Sequence, residues 1–450
     1  MLELGADGLK IDGHDAAALV ARFGSPLHVI SAARLRANAR ALVAALESAW
    51  SHGPTAVLAS LKANPSPTIR RLLGAEGLGC DVFGSHELTV ALACGVEPAL
   101  VSLNGATKAE PELALAVAHG VRIAVDSLAE LERLAAVATA AGRTAAVRLR
   151  LRPWLDDAGT LSDFSAAEIP ARDAVQRYRA GIPDDEWLAC LELAHRHPAL
   201  ELRGLMAHAS RQTTALEFWA AFGRFMAGAV ATARDHLGVT VSEVDLGGGL
   251  AGGGDPTGRH HPRRRAAAPA PAPGVLIGAI VGAFSDELAR RDVDPTGMQL
   301  EIEPGRALLG SAGIHLATVL HVKRQTMPVA ATWLETDTSE AFLPDVVWEA
   351  ARFPIVVASP HDPEPVSEVI VTGRSCGFDE LDEGVTLPQL EPGSLIAFLD
   401  TGAYQDATSN NFNLLGRPAT VLIDGDDAAV ITRRETFADV MARHADWEPG

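Results

Sequence analysis

The chain has 450 residues, 48% of them hydrophobic, and its 38 Lys+Arg against 57 Asp+Glu give a formal net charge of −19. That length supports more than one domain, and the acidic balance repels phosphate backbones, which argues against a nucleic-acid partner. The four cysteines, Cys80, Cys94, Cys190 and Cys376, form no CxxC pair, so neither a metal cluster nor a disulfide framework is expected, and a reducing, cytoplasmic compartment fits.

The N-terminal stretch MLELGADGLKIDG lacks an apolar signal core. One helical pattern (DAAALVARFG) and a strand-like LHVIS follow it. From residue 55 to 306, short apolar runs alternate with helical patterns. The predicted strands are 55–62, 78–83, 99–105, 122–127, 145–151, 202–209, 241–248 and 298–304. Strand–helix alternation implies a parallel sheet. Eight such units over some 250 residues match a closed (β/α)₈ TIM-like barrel, with an open doubly wound sheet as the rival. The stretch 252–274, rich in Gly, Arg and Pro, interrupts the seventh unit and reads as a flexible insertion. His260 and His261 within it read as part of a solvated basic loop. The uncharged run Ala266–Phe284 is long enough to span a membrane. Pro269, Pro271 and Pro273 break its first half, so it reads as a linker followed by a buried helix. After 310, short β-branched runs separated by turn residues predict a mainly β domain. The expected division is a barrel over 30–310 and a β-rich domain made of 1–29 and 311–450.

In such a barrel the chemistry gathers at the carboxyl ends of the strands. Lys62 ends the first strand, Asp81 lies on the second, and His208 ends the sixth. The seventh runs into Gly247, Gly248 and Gly249, and the eighth into Glu303-Pro304-Gly305-Arg306. A glycine turn and a guanidinium suit a phosphate. A lysine forms Schiff bases, a carboxylate holds a pyridine nitrogen protonated, and an imidazole lies over an aromatic ring. Singly each has an ordinary structural explanation. Together they describe a pocket for pyridoxal 5′-phosphate.

The motifs LKANP (61–65), CDVFGSHEL (80–88), RYRAGI (177–182), GLMAHASRQ (204–212), VDLGGGL (244–250), EIEPGR (301–306), GRSCGFDE (373–380) and LDTGAYQDATSNNFN (399–413) span nearly the whole chain. In this order and spacing the sequence resembles the fold-type III pyridoxal-phosphate-dependent decarboxylases, the diaminopimelate/ornithine/arginine decarboxylase family. The resemblance implies a cofactor-binding barrel followed by a β domain. It implies that Lys62 carries the cofactor as a Schiff base, His208 stacks on its ring, and Glu303 pairs with the ring nitrogen. Gly247, Gly248 and Gly249 would bind the phosphate, with Gly305, Arg306 and Tyr404 alongside, and Arg306 and Tyr404 would also reach substrate. Cys376 would donate the proton after carbon dioxide leaves, from a loop that enters the partner's site in a homodimer. The family's acidic residue after this cysteine is replaced by Gly377, and Asp379 and Glu380 a little further on are the candidate substitutes, with Asp379 expected to hold substrate. Leu343 and Val347 stand where diaminopimelate enzymes carry Arg and Tyr, and Arg211 or Ser210 takes the place of a phosphate-touching serine. These departures make diaminopimelate and ornithine poor substrates. Racemisation or epimerisation on the same scaffold is the alternative reaction, and an inactive decarboxylase-like regulator is the non-enzymatic one.

Overall fold

The computed structural model describes residues 2–162, 168–252 and 270–446. The chain divides into two compact units, one of residues 38–252 and 271–308, the other built from 1–37 and 309–450. Most of the insertion expected at 252–274, with His260 and His261, lies outside the described residues.

In the first unit, eight parallel strands close into a barrel: β1 (Thr55–Ser60), β2 (Gly79–Phe83), β3 (Val101–Asn104), β4 (Arg122–Val125), β5 (Ala145–Leu151), β6 (Leu200–Ala207), β7 (Glu243–Asp245) and β8 (Gln299–Ile302). Pairing of Leu300 with Thr55 joins the last strand to the first, which excludes the open sheet. Seams such as Val147, Leu149 and Leu151 are buried, as expected of strands covered on both faces. The connecting helices carry ordinary end signals. The Ser127 hydroxyl accepts from Glu130 N at 3.2 Å, capping the Leu128–Ala140 helix. Gly120 and Gly238 end two others in left-handed geometry. The apolar run after the prolines is the helix Pro273–Arg290, with Pro273 in its first turn and Leu276, Ile277, Ile280 and Phe284 buried. Among the described residues no helix is long and apolar enough to cross a membrane.

The first strand ends two residues before the expected position. Ser60 N donates to Pro304 O at 3.2 Å, the chain then curls into a single 3₁₀ turn, Leu61–Ala63, and Asn64 N closes it on Leu61 O. Leu61 is as buried as the strand, so hydrophobicity continues through a change of backbone. Lys62 therefore projects from a turn that the following Asn64-Pro65 terminates.

The second unit is built around a long sheet. Its order is Glu380–Pro388, Val366–Thr372, Ala331–Thr336, Gly313–Gln325, Leu27–Ser31, Ala419–Asp424 and Asp427–Thr432. Leu395–Leu399 pairs with both Gly313–Gln325 and Ile355–Val357. The LHVIS run is thus a central strand, antiparallel to Gly313–Gln325 and parallel to Ala419–Asp424. Two apolar clusters fill this unit, one around Val319, Leu343, Val371 and Phe398, the other around Leu27, Leu316 and Val421. Glu380–Pro388 is a strand the apolar pattern did not mark; three of its nine residues are acidic.

Candidate active site

At the strand ends of the barrel, a chain of hydrogen bonds links residues from three strands and two loops. Lys62 Nζ donates to Asp81 Oδ2 and to Ser60 Oγ, each at 2.6 Å. Asn104 Nδ2 donates to Asp81 Oδ1 at 2.7 Å and to Glu303 Oε1 at 2.5 Å. One amide therefore bridges the carboxylate beside the lysine and the carboxyl group after β8. Lys62 Nζ also sits 4.5 Å above the Phe83 ring, and its side chain keeps 40% of its exposure.

The two carboxyl groups are driven in opposite directions. Burial alone would raise Asp81, but the charge of Lys62 and hydrogen bonds from Asn104, Lys62 and Ser60 outweigh it and hold the group below the usual range. Glu303 is pushed well above it by burial and by the charges of Asp245 and Asp81. An environment of this kind favours the ionised form of Glu303 only when a cation is set against it.

His208 lies one residue beyond β6. Its Nδ1 accepts from Gly248 N at 3.2 Å, which leaves the proton of the neutral ring on Nε2. Burial, with the charges of Arg150 and Lys62, pushes this imidazole down to about 3. The glycine turn is required by sterics. Gly247 and Gly249 have φ of +64° and +88°, and an added Cβ would meet the carbonyl oxygens of Ala207 and Ser210, while one on Gly248 would meet that of Glu303. The turn uses two of its three amides internally, since Gly247 N donates to Asp245 Oδ1 at 2.8 Å and Gly248 N to the histidine. Among the described residues the Gly249 amide donates to nothing. The expectation of three phosphate-facing amides thus narrows to one, because the turn must hold itself and orient His208. Gly305 O accepts from Leu308 N, opening the short turn that carries Arg306. Ser210 is hydrogen-bonded to Thr213 through their hydroxyls.

Beneath these residues the barrel interior is charged. Arg148 Nη1 donates to Asp245 Oδ2 at 2.9 Å and Glu301 Oε2 at 2.5 Å, and Arg122 pairs with Glu301 and Glu243. Arg148, Asp245 and Glu301 are fully buried. Sequence reading missed Asn104, Arg148 and Asp245. The signal was there: Arg148/Arg150, Glu243/Asp245 and Glu301/Glu303 recur every second residue within apolar strands, which puts each pair on one face.

The remaining candidates belong to the second unit. Cys376 is exposed, its N–H donates to Asn413 Oδ1 at 2.8 Å, and Asn413 Nδ2 lies 3.3 Å from Sγ. Asp379, expected to hold substrate, is only 2% exposed and its carboxylate accepts from Glu340 N at 2.6 Å and Ser375 N at 2.5 Å. That carboxylate shapes its own loop, because two backbone N–H groups already occupy it. Beside Gly377, an added Cβ would meet Glu340 Oε1, and Glu340 Oε2 accepts from Asp379 N at 3.1 Å. Leu343 is fully buried in the apolar core, whereas Val347 is exposed. Tyr404 has φ +71° and precedes the helical turn Gln405–Thr408, a conformation rare for a bulky residue.

Pyridoxal phosphate fits the barrel residues on three counts: a buried carboxyl group awaiting a cation, an unoccupied amide in a turn closed to side chains, and an amine open at the rim. Comparison with known proteins agrees. Residues 35–310 match the model of the pyridoxal-binding domain of pyridoxal-dependent decarboxylases. The diaminopimelate decarboxylase of Archaeoglobus fulgidus is 30% identical, covering 97% of each chain. That of Pseudomonas aeruginosa is 31% identical, covering 98% of this chain and 96% of its own. The crystal structure of diaminopimelate decarboxylase from Methanocaldococcus jannaschii superposes with a TM-score of 0.87 at 25% identity, over 100% of this chain and 98% of that one. The same enzyme has also been solved in complex with L-lysine. With the barrel, its strand-end residues and these relatives in agreement, the chain belongs to the pyridoxal-dependent decarboxylases, a family of pyridoxal-phosphate-dependent carboxy-lyases acting on amino acids.

Proposed function

We propose that the chain decarboxylates an amino acid whose distal end carries neither the carboxylate of diaminopimelate nor the free amine of ornithine, with Lys62 anchoring the cofactor and Cys376 delivering the proton. The observation that carries the anchor is the Lys62–Asp81–Asn104–Glu303 chain of hydrogen bonds. When bound, pyridoxal phosphate supplies an electron sink for the pair left behind as carbon dioxide departs. Lys62 presents its amine at the rim, and Asp81 holds that amine in place. Glu303, unfavourably buried as a lone anion, stabilises positive charge at the ring nitrogen. Neutral His208 offers a ring face without repelling that charge. The Gly249 amide and Arg306 would hold the phosphate, and Tyr404 is a further candidate for it on the family resemblance. Cys376 Sγ carries the proton to the substrate carbon, and Asn413 orients the sulfur.

The substrate reading is supported by three positions. Leu343 is committed to an apolar core and Val347 is apolar, so neither offers a donor to a distal carboxylate. Gly377 has no side chain, and the neighbouring acids Glu340 and Asp379 are engaged with each other's backbone. An unpaired charge brought there is costly. The exposed Cys376 supports a homodimer in which this segment is covered by a second copy, and free cysteines fit a reducing, cytoplasmic setting. The test is carbon dioxide release by purified holoprotein over a panel of amino acids that includes meso-diaminopimelate, ornithine and lysine. Turnover of neutral-side-chain substrates at least about tenfold above these, in kcat/KM, is expected. Preference for diaminopimelate overturns the substrate reading, and racemisation without carbon dioxide overturns the reaction.

A further inference from the structure

Beside the carboxyl end of β5, a cavity of about 390 Å³ lies against the helices Trp187–Arg196 and Leu216–Leu237, lined by none of the candidate cofactor residues described above. That volume is in the range of small-molecule sites. Its charged lining is three arginines, Arg152, Arg224 and Arg291, against one carboxylate, Asp184. In a chain of net charge −19 this local excess of positive charge runs against composition.

The arginines are differently employed. Arg291 Nε is held by Glu287 Oε1 at 2.5 Å. Arg152 donates one guanidinium N–H to Gln176 O, while its Nε is buried with no partner. A buried donor left unpaired carries a desolvation cost, which is recovered when an acceptor arrives. Arg224 is exposed and makes no ion pair or hydrogen bond among the described residues. Half-buried Trp187 and Phe225 and fully buried Leu151 supply apolar walls.

We propose that this cavity is a second binding site, for a small organic anion: a carboxylate or phosphate gripped by Arg152 and Arg224, on an apolar body lying against Trp187 and Phe225. The fork geometry of arginine suits both headgroups. The floor of the site is the carboxyl end of β5. Leu151 there follows Arg150, whose charge bears on His208 and whose guanidinium lies 3.7 Å from Asp126. Occupancy is thus one residue away from the mouth of the barrel.

The probes are phenyl phosphate and benzoate, titrated calorimetrically into the holoprotein. At least one is expected to bind saturably, one per chain, with a Kd below about 1 mM. Binding is expected to weaken at least tenfold in Arg224→Gln and in Trp187→Ala, and less in Arg224→Lys. Which probe binds distinguishes the two headgroups. Arg224 is exposed, so its replacement is expected to leave the fold, cofactor absorbance and probe-free turnover unchanged. Binding of neither probe, equal binding by Arg224→Gln, or displacement of the cofactor by the probe each overturns the proposal. Because the readout is binding, it stands or falls separately from the decarboxylase substrate reading.

Discussion

The barrel mouth and the Cys376 segment are built by opposite means. At the mouth, side chains from several strand ends hold one another: Lys62, Asp81, Asn104 and Glu303 are linked in series, and Arg148 supports Asp245 from below. Around Cys376 the backbone carries the order. Asp379, Asn413 and Leu414 all have positive φ, Asp379 clasps two backbone amides, and the sulfur and Phe378 are left exposed. The first arrangement is complete within its unit. The second leaves a thiol and an aromatic ring in water. Interlocked side chains fix where a cofactor binds, whereas a shaped backbone loop presents one reactive atom.

Four measurements break or sharpen that contrast. Lys62→Ala removes the proposed anchor and is expected to abolish the visible band near ~420 nm and lower turnover by more than about 10³-fold. A surviving band refutes the anchor. Arg148→Met leaves Asp245 and Glu301 without their shared cation, and is expected to destabilise the barrel by about 3–5 kcal/mol in denaturant melts. A change below about 1 kcal/mol shows that the interior carboxyl groups tolerate one another. Cys376→Ala is expected to lower carbon dioxide-linked turnover by about 10²-fold with cofactor absorbance intact. Loss of the absorbance as well would make the cysteine part of the cofactor site.

The fourth measurement concerns pH. The His208 ring is neutral in the folded protein and held near 3, whereas an unfolded histidine titrates near 6.5. Between these values the unfolded chain binds more protons, so His208 withdraws stability as pH falls below about 6.5 and withdraws no more once it passes 3. In cofactor-free protein, His208→Asn is expected to flatten the stability–pH curve over that window. An unchanged slope places the titration elsewhere.

Much of this was legible in the sequence, and the gaps have physical causes. The eight strands were visible because each is an apolar run closed by polar or Gly/Pro residues. Lys62, Asp81, His208 and Glu303 were visible as polar residues at or beside those closures. Lys62 lies on a turn because burial continues through Leu61, so hydropathy cannot mark where pleating stops. Asn104 reads as an ordinary strand-terminal amide, and its bridging role exists only once Asp81 on the neighbouring β2 and Glu303 after β8 both come within its reach in three dimensions. Two glycine amides are taken by Asp245 and His208, a competition that no motif displays. Asp379 looked like a substrate ligand because it is acidic and close to Cys376, yet proximity along the chain also suits it to clasp the local backbone.

The bridging Asn104 has one more consequence. Because a single amide touches both the acid beside the amine and the acid after β8, neither acid can be altered without disturbing the other. Evolution or an engineer seeking a new substrate would find that corner resistant to stepwise change. Variation is cheaper at Val347, which is exposed and outside the bridged set, so the reaction can stay constant while the molecules that undergo it diversify.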